Sequence, residues 1–582
     1  MANIMSLKFL RNKTSRNGFD LSSKRNFTAK AGELLPVKTW EILPGDTFRF
    51  DLKAFTRTQP LNTAAYARMR EYYDFYFVPY DLLWNKANAA LTQMYDNPQH
   101  AISFDPTVNF VLSGDMPYLT CHQIADYLNS VANDIPSSSV KNYFGYNRGL
   151  LSARLLEYLG YGNFYQYAED SSFNFTDNPL KSNLQLNIYG LLAYQKIYAD
   201  FYRDSQWEKI SPSTFNVDYM DGRDMNLDIS GSTRFSENYN MFDLRYCNWQ
   251  KDLFHGVVPR AQYGDVATVS ALSNASINGM NVISNNTTTT TSSGVTFKVS
   301  PAGASNPGTP LLVNSQFNIL ALRQAEFLQK WKEITQSGNK DYKEQVEKHW
   351  NVSPGDGFSE MCTYLGGVSS SLDINEVVNN NITGDYAADI AGKGTGISNG
   401  VINFNSNGRY GLIMCIYHCL PLIDYTTDLV SPIFTKVNAT DYAIPEFDRV
   451  GMQQVPLALF SNPQRSQFGS LTIDNIGFAP RYIEYKTDVD SSVGAFKRSL
   501  NSWVISYNND SLSLQLGNKD PDNQPSPSVA PLNYTMFKVN PNSLNPIFAV
   551  DADSTDDTDQ FLCSSFFDVK VVRNLDADGL PY

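Results

Sequence analysis

The chain has 582 residues and a mass of 65.3 kDa, several times the usual domain size, so it forms two or more domains or one core with very large insertions. Hydrophobic residues at 42% with only 18% charged exclude a disordered chain, and 13% aromatics (34 Tyr, 35 Phe, 7 Trp) favour strands and contact surfaces over helix bundles. The net charge of −13 is uneven: residues 1–30 carry seven basic groups against Asp20, or +6, which leaves −19 on the rest.

The chain begins with a basic arm, residues 1–32, carrying Lys8, Arg11, Lys13, Arg16, Lys24, Arg25 and Lys30. Such an arm seeks phosphate or another acidic partner. Phe9, Phe19 and Phe27 interleave with these cations, which suits single-stranded nucleic acid; a solvated tail, or phenylalanines docking the arm onto a neighbouring subunit, accounts for the same residues. Lys8 and Arg11 interrupt any apolar run before signal-peptide length, so no export signal is expected.

From Glu33 to Phe55 the pattern is strand, turn, strand, with Leu43-Pro44-Gly45-Asp46 as the turn. Phe48, Phe50, Leu52 and Ala54 then alternate with Arg49, Asp51 and Lys53, a half-buried strand; Met69 to Val78 repeats the signal until Pro79. Further strands are expected at Tyr410 to Leu420, Arg481 to Lys486, Trp503 to Tyr507 and Phe567 to Val572. The best helices are Leu191 to Trp207 and two within residues 317–350, the second starting at Asp341 with Glu344 completing a capping box. Residues 265–310, 379–400 and 508–532 are rich in Ser, Thr, Asn, Gly or Pro and read as exposed loops. A β framework interrupted by such excursions fits a two-sheet antiparallel sandwich with insertions at about 111–235, 265–400 and 508–560, in one domain over 33–582.

Chemistry is sparse. The five histidines share no metal or relay spacing, and the six cysteines form neither a CxxC pair nor a disulfide scaffold. On a strand, Cys415 and Cys419 sit about 13 Å apart at ~3.3 Å per residue, with His418 on the opposite face, so they read as core rather than as ligands. Gly392-Lys393-Gly394-Thr395-Gly396 lacks the Gly-Lys-Ser/Thr ending of a phosphate loop and reads as a flexible loop. The acidic run Asp551 to Asp559 lacks the EF-hand Gly and Glu. No catalytic residues, metal site or cofactor are expected, and the longest apolar stretch, Gly411 to Ile423, is too short to span a bilayer.

Several segments, read in order, resemble the major capsid proteins of the microviruses, the small icosahedral bacteriophages with single-stranded DNA. They are Phe19-Asp20-Leu21-Ser22, the turn at Leu43, the run Phe77 to Trp84, Gln195-Lys196-Ile197-Tyr198 with Tyr202-Arg203-Asp204, and Asp252 to Gly264. Leu322 to Glu326, Tyr364-Leu365-Gly366-Gly367, Pro445-Glu446-Phe447-Asp448, Pro480 to Lys486 and Gly579-Leu580-Pro581 follow. Position 255 departs from the family, with His where relatives commonly have Thr.

The resemblance implies a mainly β fold: an eight-stranded antiparallel viral jelly roll with long, partly helical insertions. It implies a self-assembling structural protein of the virion, on the order of sixty copies to an icosahedral shell, enclosing single-stranded DNA and meeting pilot, scaffolding or DNA-packaging proteins. Assembly is expected in the host cytoplasm, with no membrane insertion. The arm is expected to face the genome, and the run Thr287, Thr288, Thr289, Thr290 and Thr291 to be displayed toward the host surface. The rival readings are a secreted carbohydrate-binding surface protein and a β-sandwich glycoside hydrolase.

Overall fold

The computed structural model describes residues 15–63, 65–92, 116–131, 148–169, 184–208, 210–220, 241–265, 267, 280–282, 299–301, 319–339, 341–378, 390–427, 429–460, 475–507, 534–548 and 559–577. The chain divides into two compact units, one made of Met1–Pro259 with Ser359–Tyr582 and the other of Arg260–Phe358.

The larger unit is mainly β. Its frame is nine strands: β1 (Asn17–Asp20), β2 (Ser23–Ala29), β3 (Leu35–Ile42), β4 (Thr47–Thr58), β5 (Met69–Pro79), β6 (Thr363–Val378), β7 (Ile390–Asn405), β8 (Gly411–Pro421) and β9 (Phe561–Arg573). They pair antiparallel in the order β1-β9-β4-β7-β6-β5-β8-β3, with β2 also on β9. β6 pairs with β5 through Thr363 to Leu372 and with β7 through Asp373 to Val378, so one strand serves both halves of the sheet. The sheet curls strongly. Trp40 of β3, at one end of the order, lies 5.0 Å from Phe50 of β4 and 5.4 Å from Phe567 of β9, and Phe50 lies 5.4 Å from Phe75 of β5.

Local chemistry explains the strands. In β4 the even positions from Phe48 to Thr58 are buried and the odd ones face outward, as the alternation predicts. The preceding turn is held by Asp46, whose Oδ2 accepts from the Leu43 N–H at 3.0 Å and from Arg573 at 2.9 Å. β8 is buried along nearly its whole length, because helices cover this half of the sheet. They are α1 (Cys121–Val131), α2 (Arg148–Leu159) and α3 (Tyr189–Ile197); α2 packs on β3, and α3 packs on β5 and β8. α3 continues as a π-helical turn, Tyr198–Tyr202, inside the expected helix.

A buried charge network ties α2 to the sheet. The Arg154 guanidinium donates to Glu33 Oε2 and Asp559 Oδ2, each at 3.0 Å, and to the Thr28 carbonyl at 3.3 Å.

Four expectations are corrected. Residues 390–400, read as loop, belong to β7, and Gly392 to Gly396 is strand rather than a flexible loop. Its glycines are inward positions at which the sheet leaves no room: a Cβ at Gly396 would lie 2.5 Å from Leu372 Cδ2, and one at Gly400 2.4 Å from Val368 Cγ2. Arg481 to Lys486 is a turn with a single 3-10 helical segment, Ile483–Tyr485, entered through Tyr482 at φ +57°. Trp503 to Tyr507 reduces to the two-residue strand Ser506–Tyr507, paired in parallel with Asp424–Tyr425. Asp341 is an N-cap, but its side chain makes no capping hydrogen bond.

The smaller unit contains α4 (Ile319–Gln336) and α5 (Tyr342–Trp350), as the periodicity predicts. Gln345 Nε2 donates to the Thr335 and Asn339 carbonyls, and the Thr335 hydroxyl and His349 Nε2 are 3.1 Å apart.

Candidate functional site: a bare basic sheet face and a held apolar surface

Of the arm cations, Lys8, Arg11 and Lys13 lie outside the described residues. Arg16 is exposed and donates to the Gly45 carbonyl and the Thr47 hydroxyl, both at 2.9 Å. Lys24 is exposed on β2. Arg25, its neighbour, points the other way and donates to the Tyr158 carbonyl at 3.0 Å, where a cation suits the C-terminal end of α2. Lys30 is buried. The run Thr287 to Thr291 and the acids Asp551 to Asp557 lie outside the described residues, whereas Asp559 is buried against Arg154.

Lys24 belongs to a larger surface. Helices cover the β5–β8–β3 half of the sheet, but the outward residues of β2, β9, β4 and β7 are exposed or half-buried. The register sets them in rows. One row runs Lys24, Phe566, Lys53, Asn399; the next is Asn26, Ser564, Phe55, Ile397; the third is Thr28, Leu562, Arg57, Thr395. Lys393 extends the third row's end by two residues, and Arg49 lies four residues from Lys53 along β4. Phe55 is 37% exposed, Phe566 40% and Ile397 64%, with the Arg57 guanidinium 5.1 Å from the Phe55 ring centre. Carboxylates flank this group on two sides: Asp51 faces Asp568 between Lys53 and Arg49, with Lys570 pairing both Asp568 and Asp20, and Asp373 of β6 is paired with Thr395 at the end of the third row. Those bonds to Lys570 and Ser22 hold the Asp20 carboxyl well below its usual pKa.

A second surface lies at residues 431–452. Three short turns, Pro432–Thr435, Ala439–Asp441 and Pro445–Phe447, hold apolar side chains out of the fold: Ile433 is 71% exposed, Phe434 82%, Val437 84% and Val450 65%. The segment is nevertheless pinned. Asp441 Oδ2 accepts from the Val437 and Asn438 N–H groups at 2.9 and 2.7 Å, Lys436 Nζ sits 3.6 Å from the Tyr485 ring centre, and Lys486 bonds Asp448 at 2.7 Å. A cleft of about 620 Å³ opens beside it between Leu253, Lys436, Gln454 and Tyr482. In the smaller unit Phe327, Trp331 and Trp350 are likewise exposed. The sequence predicts these two helices but gives no sign that their apolar side chains are exposed, and no sign of the exposed set at 431–452, because exposure of an apolar residue is invisible in one dimension.

The polar clusters are structural in geometry. Cys415 and Cys419 are fully buried on β8 with free thiols. His418 stacks on Tyr72 at 4.8 Å and 8°, and burial pushes its pKa down to about 3. His255 is buried too: its Nδ1 is 2.5 Å from the Tyr425 hydroxyl, which donates to Asp252 Oδ2 at 2.7 Å. Burial works against the Asp252 carboxylate, yet its bonds from His255 and Tyr425 keep its pKa below the usual range. Among the described residues no group of three or more His, Cys, Asp or Glu side chains is placed to hold a metal.

Comparison with known proteins gives these surfaces a context. The family model described as capsid protein (F protein) matches residues 8–148 and 169–581. The capsid protein VP1 of Chlamydia phage 1 is 22% identical over 637 aligned positions, covering 97% of this chain and 95% of that protein. The capsid protein VP1 of Bdellovibrio phage phiMH2K is 23% identical over 523, covering 84% and 85%. Neither a carbohydrate-binding protein nor a glycoside hydrolase is supported by these relatives. A match over nearly the whole chain means that the chain belongs to the capsid protein (F protein) family of the microviruses, whose members are structural proteins and not enzymes.

Proposed function

We propose that this chain is a major capsid protein that self-assembles into an icosahedral shell of on the order of sixty copies, enclosing a single-stranded DNA genome. The observation that carries the reading is the pinned apolar surface at 431–452. Side chains such as Phe434 and Val437 are held rigidly in water, which is unfavourable unless another copy covers them. A handful of well-packed, desolvated side chains carries most of the energy of a protein interface. Phe434→Ser with Val437→Ser tests it. Both side chains are more than four-fifths exposed, so the subunit keeps its stability within about 0.5 kcal/mol while particle formation, read by sedimentation, is lost. Normal particles from this variant refute the role of the segment.

The frame supports an eight-stranded jelly roll. Strands β2, β9, β4 and β7 would form one sheet and β3, β8, β5 and β6 the other, with β1 an extension of β2. On this reading residues 33–582 are one domain, extended by β1 and β2 from the expected arm, and the excursions at about 111–235, 265–400 and 508–560 are insertions, except that 363–378 and 390–400 belong to the frame. The arm faces the genome. Arg16 and Arg25 are hydrogen-bonded within the fold and Lys30 is buried, so Lys8, Arg11, Lys13 and Lys24 are the phosphate-facing set. Thr287 to Thr291 are displayed outward to the host surface, a reading supported by composition alone. Pilot, scaffolding or DNA-packaging proteins are the further virion partners, with assembly in the host cytoplasm before the chain resides in the virion.

A further inference from the structure

We infer that the outward face of β2, β9, β4 and β7 is itself a track for single-stranded nucleic acid, continuous with the arm through Lys24. The inference rests on the reading that the shell encloses such a genome, and it assigns the contact to the folded sheet as well as to the arm.

Charge is the first argument. Lys24, Lys53, Arg57 and Lys393 are exposed on this face and make no ion pair or hydrogen bond with another described residue, although the chain as a whole is strongly acidic. Elsewhere on the same sheet cations are matched: Lys570 by Asp20 and Asp568, Arg573 by Asp46. Unmatched cations held on a rigid sheet in an acidic protein are a surface for an external polyanion.

Ring placement is the second. Phe566 stands between Lys24 and Lys53 in one row, and Phe55 occupies the next row beside Arg57. Rows repeat every two residues, about 6.8 Å, and strands are about 4.8 Å apart. Bases stacking on exposed rings while phosphates meet neighbouring cations is how single strands are held without sequence preference. An acidic patch on a second copy would satisfy the charges but leave the interleaved rings unexplained.

The test measures binding of oligodeoxythymidine by the full chain across a salt series. Lys53→Ala with Arg57→Ala is expected to lower the magnitude of the log–log salt slope by about 1.4, at about 0.7 per phosphate contact in a single strand. Phe566→Ala is expected to weaken binding roughly 5- to 150-fold with the slope unchanged. All three side chains point outward, so folding is preserved, which a denaturant midpoint verifies. Wild-type binding with an unchanged slope in the lysine–arginine variant overturns the track and leaves the contact to the arm. Failure of the wild-type chain to bind at all instead removes the underlying reading of an enclosed single-stranded genome. Loss of particles without loss of DNA binding also overturns the track, in favour of a second copy on this face.

Discussion

Gly400→Ala is the sharpest probe of how the two halves of the sheet meet. Gly400 lies on β7 and Val368 on β6, beyond the short stretch over which those strands pair, so the two residues meet across the interior. A methyl group at 400 would stand 2.4 Å from Val368 Cγ2, 3.4 Å from Cγ1 and 3.5 Å from Cβ. Where a glycine has compatible backbone angles and free space, alanine stabilises by about 0.4–1 kcal/mol through the unfolded chain. Gly400 is not among the residues of positive φ, so only crowding opposes that gain. Overpacking costs about 1–3 kcal/mol, and the net expectation is a loss of between about 0 and about 2.6 kcal/mol. The geometry also names the rescue. Val368→Ala removes both Cγ atoms and leaves the Cβ at ordinary contact distance, so adding Gly400→Ala to that variant is neutral or stabilising. Denaturant unfolding of the unassembled subunit around this double-mutant cycle reads the coupling directly. Strict additivity around the cycle refutes the packing.

Two further outcomes follow from buried polar groups. His418 is held neutral by burial, with a folded pKa of about 3 against about 6.5 unfolded, so its contribution is complete above pH 6.5 and is lost as pH falls toward 3. At about 1.4 kcal/mol per unit, that is roughly 2 kcal/mol between pH 6.5 and pH 5; His418→Phe, which keeps the flat contact on Tyr72, removes this part of the slope, and an unchanged slope counts against the assignment. Arg154→Met leaves Glu33, with its side chain fully buried, and Asp559 without their cation and is expected to cost about 3–5 kcal/mol. A shift below about 1 kcal/mol in the unfolding free energy means the network does not anchor α2.

Strands whose two faces differ were legible in the sequence. β4 announces itself because Phe48, Phe50 and Leu52 alternate with charges, and β5 because its aromatics keep the same period. β7 was invisible for the opposite reason. Its inward positions include Gly392, Gly394, Gly396 and Gly400, so the period of two is written in the absence of side chains, and composition alone suggests a loop. The 481–486 segment failed differently: Tyr482, Ile483 and Tyr485 have strand propensity, but the left-handed backbone at Tyr482 turns the chain. The basic arm was read from charge alone, which cannot separate Lys24, facing out, from Arg25, capping a helix 133 residues away. The two differ by one position on a strand, and one position is a change of face.

The aromatic excess divides in the same way, by face and burial. A core needs rings such as Trp40, Phe50, Phe75 and Phe567, and these meet inside the curled sheet. A second set, including Phe327, Trp331, Trp350 and Phe434, is held in water on α4, α5 and the 431–452 turns. Neither set differs in composition from the other; what separates them is that this chain buries the first and leaves the second in water, where the proposed shell would have another copy cover it. Subunits of a shell must fold first and associate afterwards, so their interface residues have to be tolerated in solvent before assembly. Pinning meets that requirement. Hydrogen bonds donated to Asp441 by the Val437 and Asn438 N–H groups fix the turn that displays Val437, so its ordering entropy is met on folding rather than on docking. Asp441→Ala should therefore weaken assembly without removing a single apolar contact, and particles forming at the wild-type subunit concentration would show that the turn orders only on docking.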